Sequence, residues 1–322
     1  MAATRNKRSP DLPSRIDAFL AERVNPDGQL CVGLSGGCDS VVLLHLLAKS
    51  RFATQLSAIH VHHGLSLNAD AWQAHCIAFC NELCVPLVVR HVEVPRASGD
   101  GLEAAARRAR YEAFAESGAD FLLLAQHRGD QAETLLFNLL RGAGVVGAAA
   151  IPVERAFRRI RVLRPMLSIS RAEIEAYANA QGLSWVDDES NADISFSRNF
   201  LRHEILPALA DRFPGVESGL AQAAENFAEA SALLDELAEQ DWTHVSLGDD
   251  VQIKQLRQLS AERIKNMLRF RLRQLGWRTP DAPRLAEFVR QLRQAGPDRH
   301  PSLALPDGEM RVAQGRLSWT SK

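Results

Sequence analysis

The stretch Leu30-Cys31-Val32-Gly33-Leu34-Ser35-Gly36-Gly37-Cys38-Asp39-Ser40, followed directly by Val41 to Ala48, decides how this chain is read. A short apolar, β-branched run meets a glycine turn, and a helical pattern begins at once. Strand, glycine turn and helix start together form an anion cradle. Gly36 and Gly37 let backbone amides approach phosphate oxygens, the helix N-terminus adds its positive end, and Ser35 and Ser40 supply hydroxyl donors. Asp39 fits such a site if it holds Mg²⁺, which bridges phosphates and neutralises their charge; otherwise it caps the helix. No Gly-Lys-[Ser/Thr] occurs anywhere in the chain, so this is not a kinase-type phosphate loop, and the Ser35 to Ser40 segment is not the spaced G-x-G-x-x-G of dinucleotide binders.

Working outward, strand-like runs alternate with helical patterns: Leu56 to Val61, Ala69 to Leu83, Pro86 to Val94, Gly101 to Glu116, Phe121 to Ala125 and Asp130 to Leu140. This rhythm predicts an α/β fold: a parallel sheet covered on both faces, with ligands at the carboxyl ends of its strands. After Pro152 follow an Arg-rich stretch, a helix near 171–181 and a polar segment Trp185 to Arg202. The expected organisation is a disordered tail over 1–15, a parallel-sheet catalytic domain over 16–212, an acidic helical linker over 213–242 and a smaller basic α+β domain over 243–322.

The net charge of -1 hides an uneven distribution. Gly215 to Asp250 holds nine acidic residues and no Lys or Arg, whereas Arg257 to Arg299 holds eleven basic residues against four acidic ones. With Arg155, Arg158, Arg159, Arg161 and Arg164 as a second cluster, the chain carries two basic surfaces suited to a phosphate backbone. No run of about 18 apolar residues is present, so no membrane partner is expected. Five cysteines without a C-x-x-C pair fit a reducing cytoplasm better than a disulfide framework. Cys76, Cys80 and Cys84 repeat at helical spacing and read as a stripe of small buried residues rather than a cluster site. The histidines at 60, 62, 63 and 127 lack a zinc-ligand spacing.

The glycine segment resembles the S-G-G-x-D-S loop of the PP-loop ATP pyrophosphatases, which cleave ATP between its α and β phosphates. His60-Val61-His62-His63-Gly64-Leu65 is similar to their H-V-N-H-G-L, with His62 in place of Asn. Glu103 through Arg107, Arg110 and Tyr111 resembles E-x-x-A-R-x-x-R-Y. Ala125 to Thr134 resembles A-Q-H-x-D-D-Q-x-E-T, with Gly129 replacing the first acid. Trp185 to Arg202, with Asp188, Ser190, Asn191, Asp193, Arg198, Asn199 and Arg202, is similar to the signature of tRNA(Ile)-lysidine synthetases.

That resemblance implies ATP as substrate, Mg²⁺ at Asp39, L-lysine, and an isoleucine tRNA with a CAU anticodon. Ser35, Gly36, Gly37, Cys38, Asp39 and Ser40 would bind ATP, and Arg107 would be the cation beside the departing pyrophosphate. Free lysine arrives protonated, with a pKa near about 10.4. Asp130, Glu133 and Thr134, at i, i+3 and i+4 on one helix face, are therefore expected to bind the ammonium and help remove its proton. His63, His127, Arg198, Asn199 and Arg202 are expected to contact lysine or cytidine; Arg155, Arg158, Arg159, Arg269, Arg271 and Arg273 are expected to contact tRNA. Rival readings are a tRNA thiolase or other PP-loop tRNA-modifying enzyme, and a non-catalytic RNA-binding module. A homodimer stays open.

Overall fold

A computed structural model of the chain describes residues 11–95, 102–189, 193–296 and 299–322, with the side chains of 102 and 103 left aside. Gly101, Ser190, Asn191 and the first ten residues of the expected tail lie outside the described residues, as does the side chain of Glu103. The chain forms two compact units, Met1–Asn226 and Phe227–Lys322.

In the first unit, helix α1 (Leu12–Ala21) begins inside the stretch expected to be unstructured: the N–H of Ser14 donates to the Asp11 side chain at 3.0 Å, and Ile16 and Leu20 are buried. Strand β1 (Leu30–Gly33) runs through the glycine loop into α2 (Cys38–Ala48), which is buried around most of its circumference, as the apolar runs Val41–Leu44 and Leu46–Leu47 demand. There follow β2 (Leu56–His62), α3 (Ala69–Glu82), β3 (Leu87–His91), α4 (Leu102–Ala115), β4 (Phe121–Leu123), α5 (Arg128–Leu140) and the short α6 (Val145–Ala148). The Arg-rich stretch, in which no strands were expected, is a hairpin of β5 (Glu154–Phe157) and β6 (Ile160–Leu163). Its turn has Arg158 at φ +53, and Ile160, Val162 and Leu163 enter the core.

Among the described residues the strands order as β3-β2-β1-β4-β6-β5, parallel except for β5 at the edge. The chain order reverses between β1 and β4, and a crevice opens at such a switch point beyond the strands' carboxyl ends. The loops after β1 and β4 are Ser35–Gly37 and Ala125–His127, so topology sets two of the sequence motifs side by side. Helix α7 (Arg171–Ala180) starts with a capping box: Ser170 accepts from the N–H of Glu173 at 3.2 Å and donates its own N–H back at 2.8 Å. Then α8 (Ser197–Phe200), a π-helical turn (Leu201–Ile205) and α9 (Leu206–Arg212) form one continuous winding.

Helix α10 (Val216–Val245) contains the point where the two units divide. The second unit holds β7 (Ser246–Leu247), β8 (Asp250–Gln252), α11 (Ile253–Leu256), α12 (Ala261–Gln274), α13 (Ala282–Gln294), β9 (Ser302–Ala304), β10 (Gly308–Ala313) and β11 (Arg316–Ser321). Its antiparallel sheet has the order β7-β8-β11-β10-β9, and its core gathers Leu256, Met267, Leu268, Leu272, Leu285, Phe288 and Met310. Gln314 and Gly315, both at positive φ, close the β10–β11 hairpin in the way two-residue turns require.

Candidate active site

A cleft of about 900 Å³ lies over the switch point and is lined by Ser35, Gly37, Cys38, Asp39 and Ser40 from the first loop, and by His127, Gly129, Asp130 and Glu133 from the start of α5. His63, Arg107, Arg110, Arg171 and Arg202 complete its polar wall.

The loop is held by its own hydroxyls. Ser40 Oγ accepts from the N–H of Ser35 at 3.2 Å and reaches the carbonyl of Gly37 at 3.0 Å, while Ser35 Oγ lies 3.1 Å from Ser40 Oγ and accepts from the N–H of Gly37 at 3.3 Å. Gly36 takes φ +90, and a Cβ there would stand 2.9 Å from Val186 Cγ2 and 3.2 Å from Cys76 Sγ. The N–H of Val186 donates to the carbonyl of Gly36 at 3.0 Å, so the segment after Trp185 is stitched onto the loop. His60 Nδ1 donates to the carbonyl of Leu34 at 2.9 Å, pinning the entry to the turn. No side chain caps the N-terminus of α2, whose orphan amides are left for an anion. Cys38 is buried and its thiol is pushed up to about 11 by burial, so it offers the loop its backbone, not a thiolate.

Asp39 is clamped from a distance the sequence does not reveal: Nη1 of Arg171 donates to both carboxylate oxygens at 2.6 Å. Arg171 also donates to Glu175 at 2.8 Å. Burial still raises the Asp39 pKa above the usual carboxylate value, against the pull of His127 and Arg171.

The expected ammonium site is filled by the protein itself. Arg202 donates from Nε to Glu133 Oε1 at 2.6 Å, from Nη2 to Oε2 at 2.9 Å, and from Nη2 to Asp130 Oδ1 at 3.1 Å. Glu133 is buried and its pKa is raised by burial in spite of this fork. Asp130 spends Oδ2 on the backbone N–H of His127 at 2.9 Å, closing a capping box at the start of α5. The two carboxylates do share a face, as the i, i+3 spacing predicts, but that face already holds a guanidinium. Arg202 is correspondingly a partner of these acids rather than a free substrate contact.

Arg107 lines the cleft with its guanidinium carbon 5.1 Å from the Tyr111 ring centre and Nη2 3.4 Å from the Tyr111 hydroxyl. The same hydroxyl accepts from Arg164 at 3.2 Å. Arg164 is buried at 2% exposure and also donates to Gln126 Oε1 and the carbonyl of Pro152. It belongs to the core, not to the basic surface expected of its cluster. Arg155 stacks on Tyr111 and Phe157, Arg158 pairs with Glu112, and Arg159 is exposed. His63 accepts from the N–H of Leu65 at 3.3 Å, and burial lowers its pKa.

Two expected site residues stand apart from the cleft lining. Arg198 stacks over Phe137 at 5.9 Å, and the Asn199 amide donates to the carbonyl of Asp193 at 2.9 Å. In the second unit Arg271 donates to Asp249 at 2.8 Å and stacks on Trp242, Arg273 pairs with Asp235, and Arg269 is half-buried. Cys84 is exposed at φ +55, beyond the end of α3, and so leaves the buried stripe formed by Cys76 and Cys80. Among the described residues no three His, Cys, Asp or Glu side chains gather to hold a metal ion, and no helix is long and apolar enough to cross a membrane.

Residues 9–209 match the PP-loop domain family, and residues 252–318 match the TilS substrate binding domain. The chain is similar to a tRNA(Ile)-lysidine synthase of Pseudomonas fluorescens, 46% identical with 97% of this chain and 73% of that protein covered. It is also similar to one of Pseudomonas aeruginosa, 48% identical over 91% of this chain and 69% of the other. Among solved structures, a U34-tRNA thiolase of Methanococcus maripaludis superposes with a TM-score of 0.57 at 19% identity, covering 67% of this chain and 78% of that one. At that identity the likeness is one of fold.

Proposed function

The chain belongs to the tRNA(Ile)-lysidine synthase family and is a carbon–nitrogen ligase that uses ATP to form lysidine on tRNA(Ile), and we propose how its cleft divides the work. In the first step O2 of the wobble cytidine bonds to the α-phosphorus of ATP, the bond to the β-phosphate breaks, and pyrophosphate leaves. In the second the ε-amine of L-lysine bonds to C2, the C2–O bond to the adenylate breaks, AMP leaves and the amine gives up a proton. The observation that carries this reading is the uncapped α2 N-terminus, which ends a serine-locked glycine loop at the sheet's switch point.

Ser35, Gly36, Gly37, Cys38 and Ser40 grip the polyphosphate through amides and hydroxyls. Arg107 faces the negative charge that builds on the leaving group. Asp39 is the proposed Mg²⁺ ligand. Mg²⁺ is bound by one or two carboxylates together with substrate phosphates, and Asp39, in the first turn of α2 beside the phosphate loop, would meet that demand once Arg171 is displaced or shared. The ion would supply charge neutralisation on the phosphates. For lysine, Asp130 and Glu133 bind the ammonium only as Arg202 yields, so Arg202 acts as a placeholder for the substrate cation. His63 and His127 are proposed as substrate contacts, with a reducing cytoplasm as the setting. The buried thiols of Cys31, Cys38, Cys76 and Cys80, pushed up to about 11, 11, 12 and 11, speak against the thiolase chemistry that needs a reactive thiolate.

Incubation with ATP, lysine and total tRNA, followed by mass spectrometry of the digested nucleosides, is expected to show cytidine converted to lysidine in an isoleucine tRNA. Absence of lysidine together with absence of pyrophosphate release would leave an RNA-binding module without this chemistry.

A further inference from the structure

Resting on the function just described, we propose that Gly129 is a positioning residue that seats His127 as a fixed hydrogen-bond donor to the α-phosphate of ATP. The His127 ring is buried and lines the cleft. Its Nδ1 accepts from the backbone N–H of Gly129 at 3.0 Å, while its own backbone N–H donates to Asp130 at 2.9 Å. A ring nitrogen that accepts carries no proton, so the imidazole proton sits on Nε2. Nε2 lies 4.0 Å from Asp39 and 3.8 Å from Asp130, beyond hydrogen-bond length for both. A donor held between two carboxylates and bonded to neither is available to a third oxygen. Asp39 stands in the first turn of α2, at the phosphate cradle, so that oxygen is a phosphate's.

The space for this arrangement comes from the missing side chain. A Cβ at residue 129 would stand 2.8 Å from His127 Cε1 and 3.1 Å from Nδ1, the edge of the ring that makes the bond. Gly129 is not among the residues at positive φ, so alanine suits the backbone there, and the group that must move is the imidazole. The motif that this segment resembles has an acid at that position. That motif keeps the histidine as well, so its ring meets a side chain that Gly129 does not present, and here Nε2 faces the phosphate cradle as a donor. Donors already aimed at the charge of a transition state act on kcat more than on binding.

The test uses the full-length protein with ¹⁵N-labelled histidine and its Gly129→Ala variant. Long-range ¹H–¹⁵N spectra of the wild type are expected to show His127 with its proton on Nε2, the signal being assigned by its loss in His127→Gln. In Gly129→Ala that signal moves, kcat for tRNA-dependent pyrophosphate release falls about 10- to 100-fold, and the KM values for ATP and tRNA stay within about twofold. A wild-type His127 protonated on Nδ1, or a Gly129→Ala protein with unchanged tautomer and kcat, overturns the proposal. If the wild type releases no pyrophosphate at all, the functional reading falls and takes the donor's target with it. The tautomer still decides separately whether Gly129 seats the ring.

Discussion

Arg202 and Glu133 show how a residue can be chosen correctly for a site and still be misread in its role. The i, i+3 spacing of Asp130 and Glu133 is visible in the sequence; that Arg202, 69 residues further on, forks onto Glu133 is not. The same holds for Arg171 on Asp39, 132 residues apart. Both arginines come from segments whose local pattern indicates only a helix start or a polar loop. Arg202→Met is expected to leave Glu133, 5% exposed, without its cation beside Asp130 and His127. The cost at neutral pH is about 2 kcal/mol, less than for a fully buried pair because the Arg202 side chain is 36% exposed. The pH dependence has a definite sign. Burial raises the folded-state pKa of Glu133 above its usual 4.5, so its contribution to stability is fully present below that value and is lost as pH rises through the folded pKa. Removing Arg202 raises that pKa further. Denaturant midpoints should therefore match between variant and wild type near pH 4.5 and separate toward pH 7; an equal gap at both would show that the fork does not hold Glu133 ionised.

At the level of elements, the alternation that predicts a parallel sheet is legible because buried parallel strands are short continuous apolar runs and their crossover helices have a different period. The β5–β6 hairpin is illegible for the complementary reason. Five arginines crowd ten residues, and only the structure shows Arg164 buried under Tyr111 and Arg161 paired with Glu154. The π-helical turn at 201–205 has no local marker either. The β1–α2 junction shows its phosphate geometry in the sequence but not its packing: Gly36 is also the point where the irregular segment carrying Val186 lies against the loop. Gly36→Ala would combine left-handed strain with contact against Val186 and Cys76, and is expected to weaken ATP binding by about tenfold or more, roughly 1.4 kcal/mol. Gly182→Ala is the control, since Gly182 is also left-handed, at φ +65, but its Cβ would meet nothing within 4 Å. Calorimetric ATP titration showing equal losses in both would mean that strain alone, and not the approach of Val186, sets the loop.

Over the whole chain, charge separates what a neutral total conceals, and the structure redistributes it again. Arg271 and Arg273 face Asp249 and Asp235 from the acidic run, so this part of the second unit is close to neutral where a tRNA contact was expected. The excess lies elsewhere in the unit. A cleft of about 410 Å³ between α12 and α13 is lined by Arg257, Lys265, Arg290 and Arg293, and the carboxylates paired with this group are Glu262 and Glu287. Arg257 donates to the carbonyls of Leu292 and Ala295 and so caps the end of α13, without its charge being cancelled. Phosphate contacts release counterions, and each lowers the slope of log affinity against log salt by about 0.7 to 0.9. The double variant Arg290→Gln, Arg293→Gln is accordingly expected to flatten the tRNA salt dependence by between one and two such increments. Arg271→Gln with Arg273→Gln should change it by less than one and instead lower the thermal stability of the unit, because Asp249 and Asp235 lose their partners. Filter binding of tRNA across a salt series distinguishes the two pairs, and the reverse order of effects would return the RNA-facing surface to the part of α12 that carries Arg271 and Arg273.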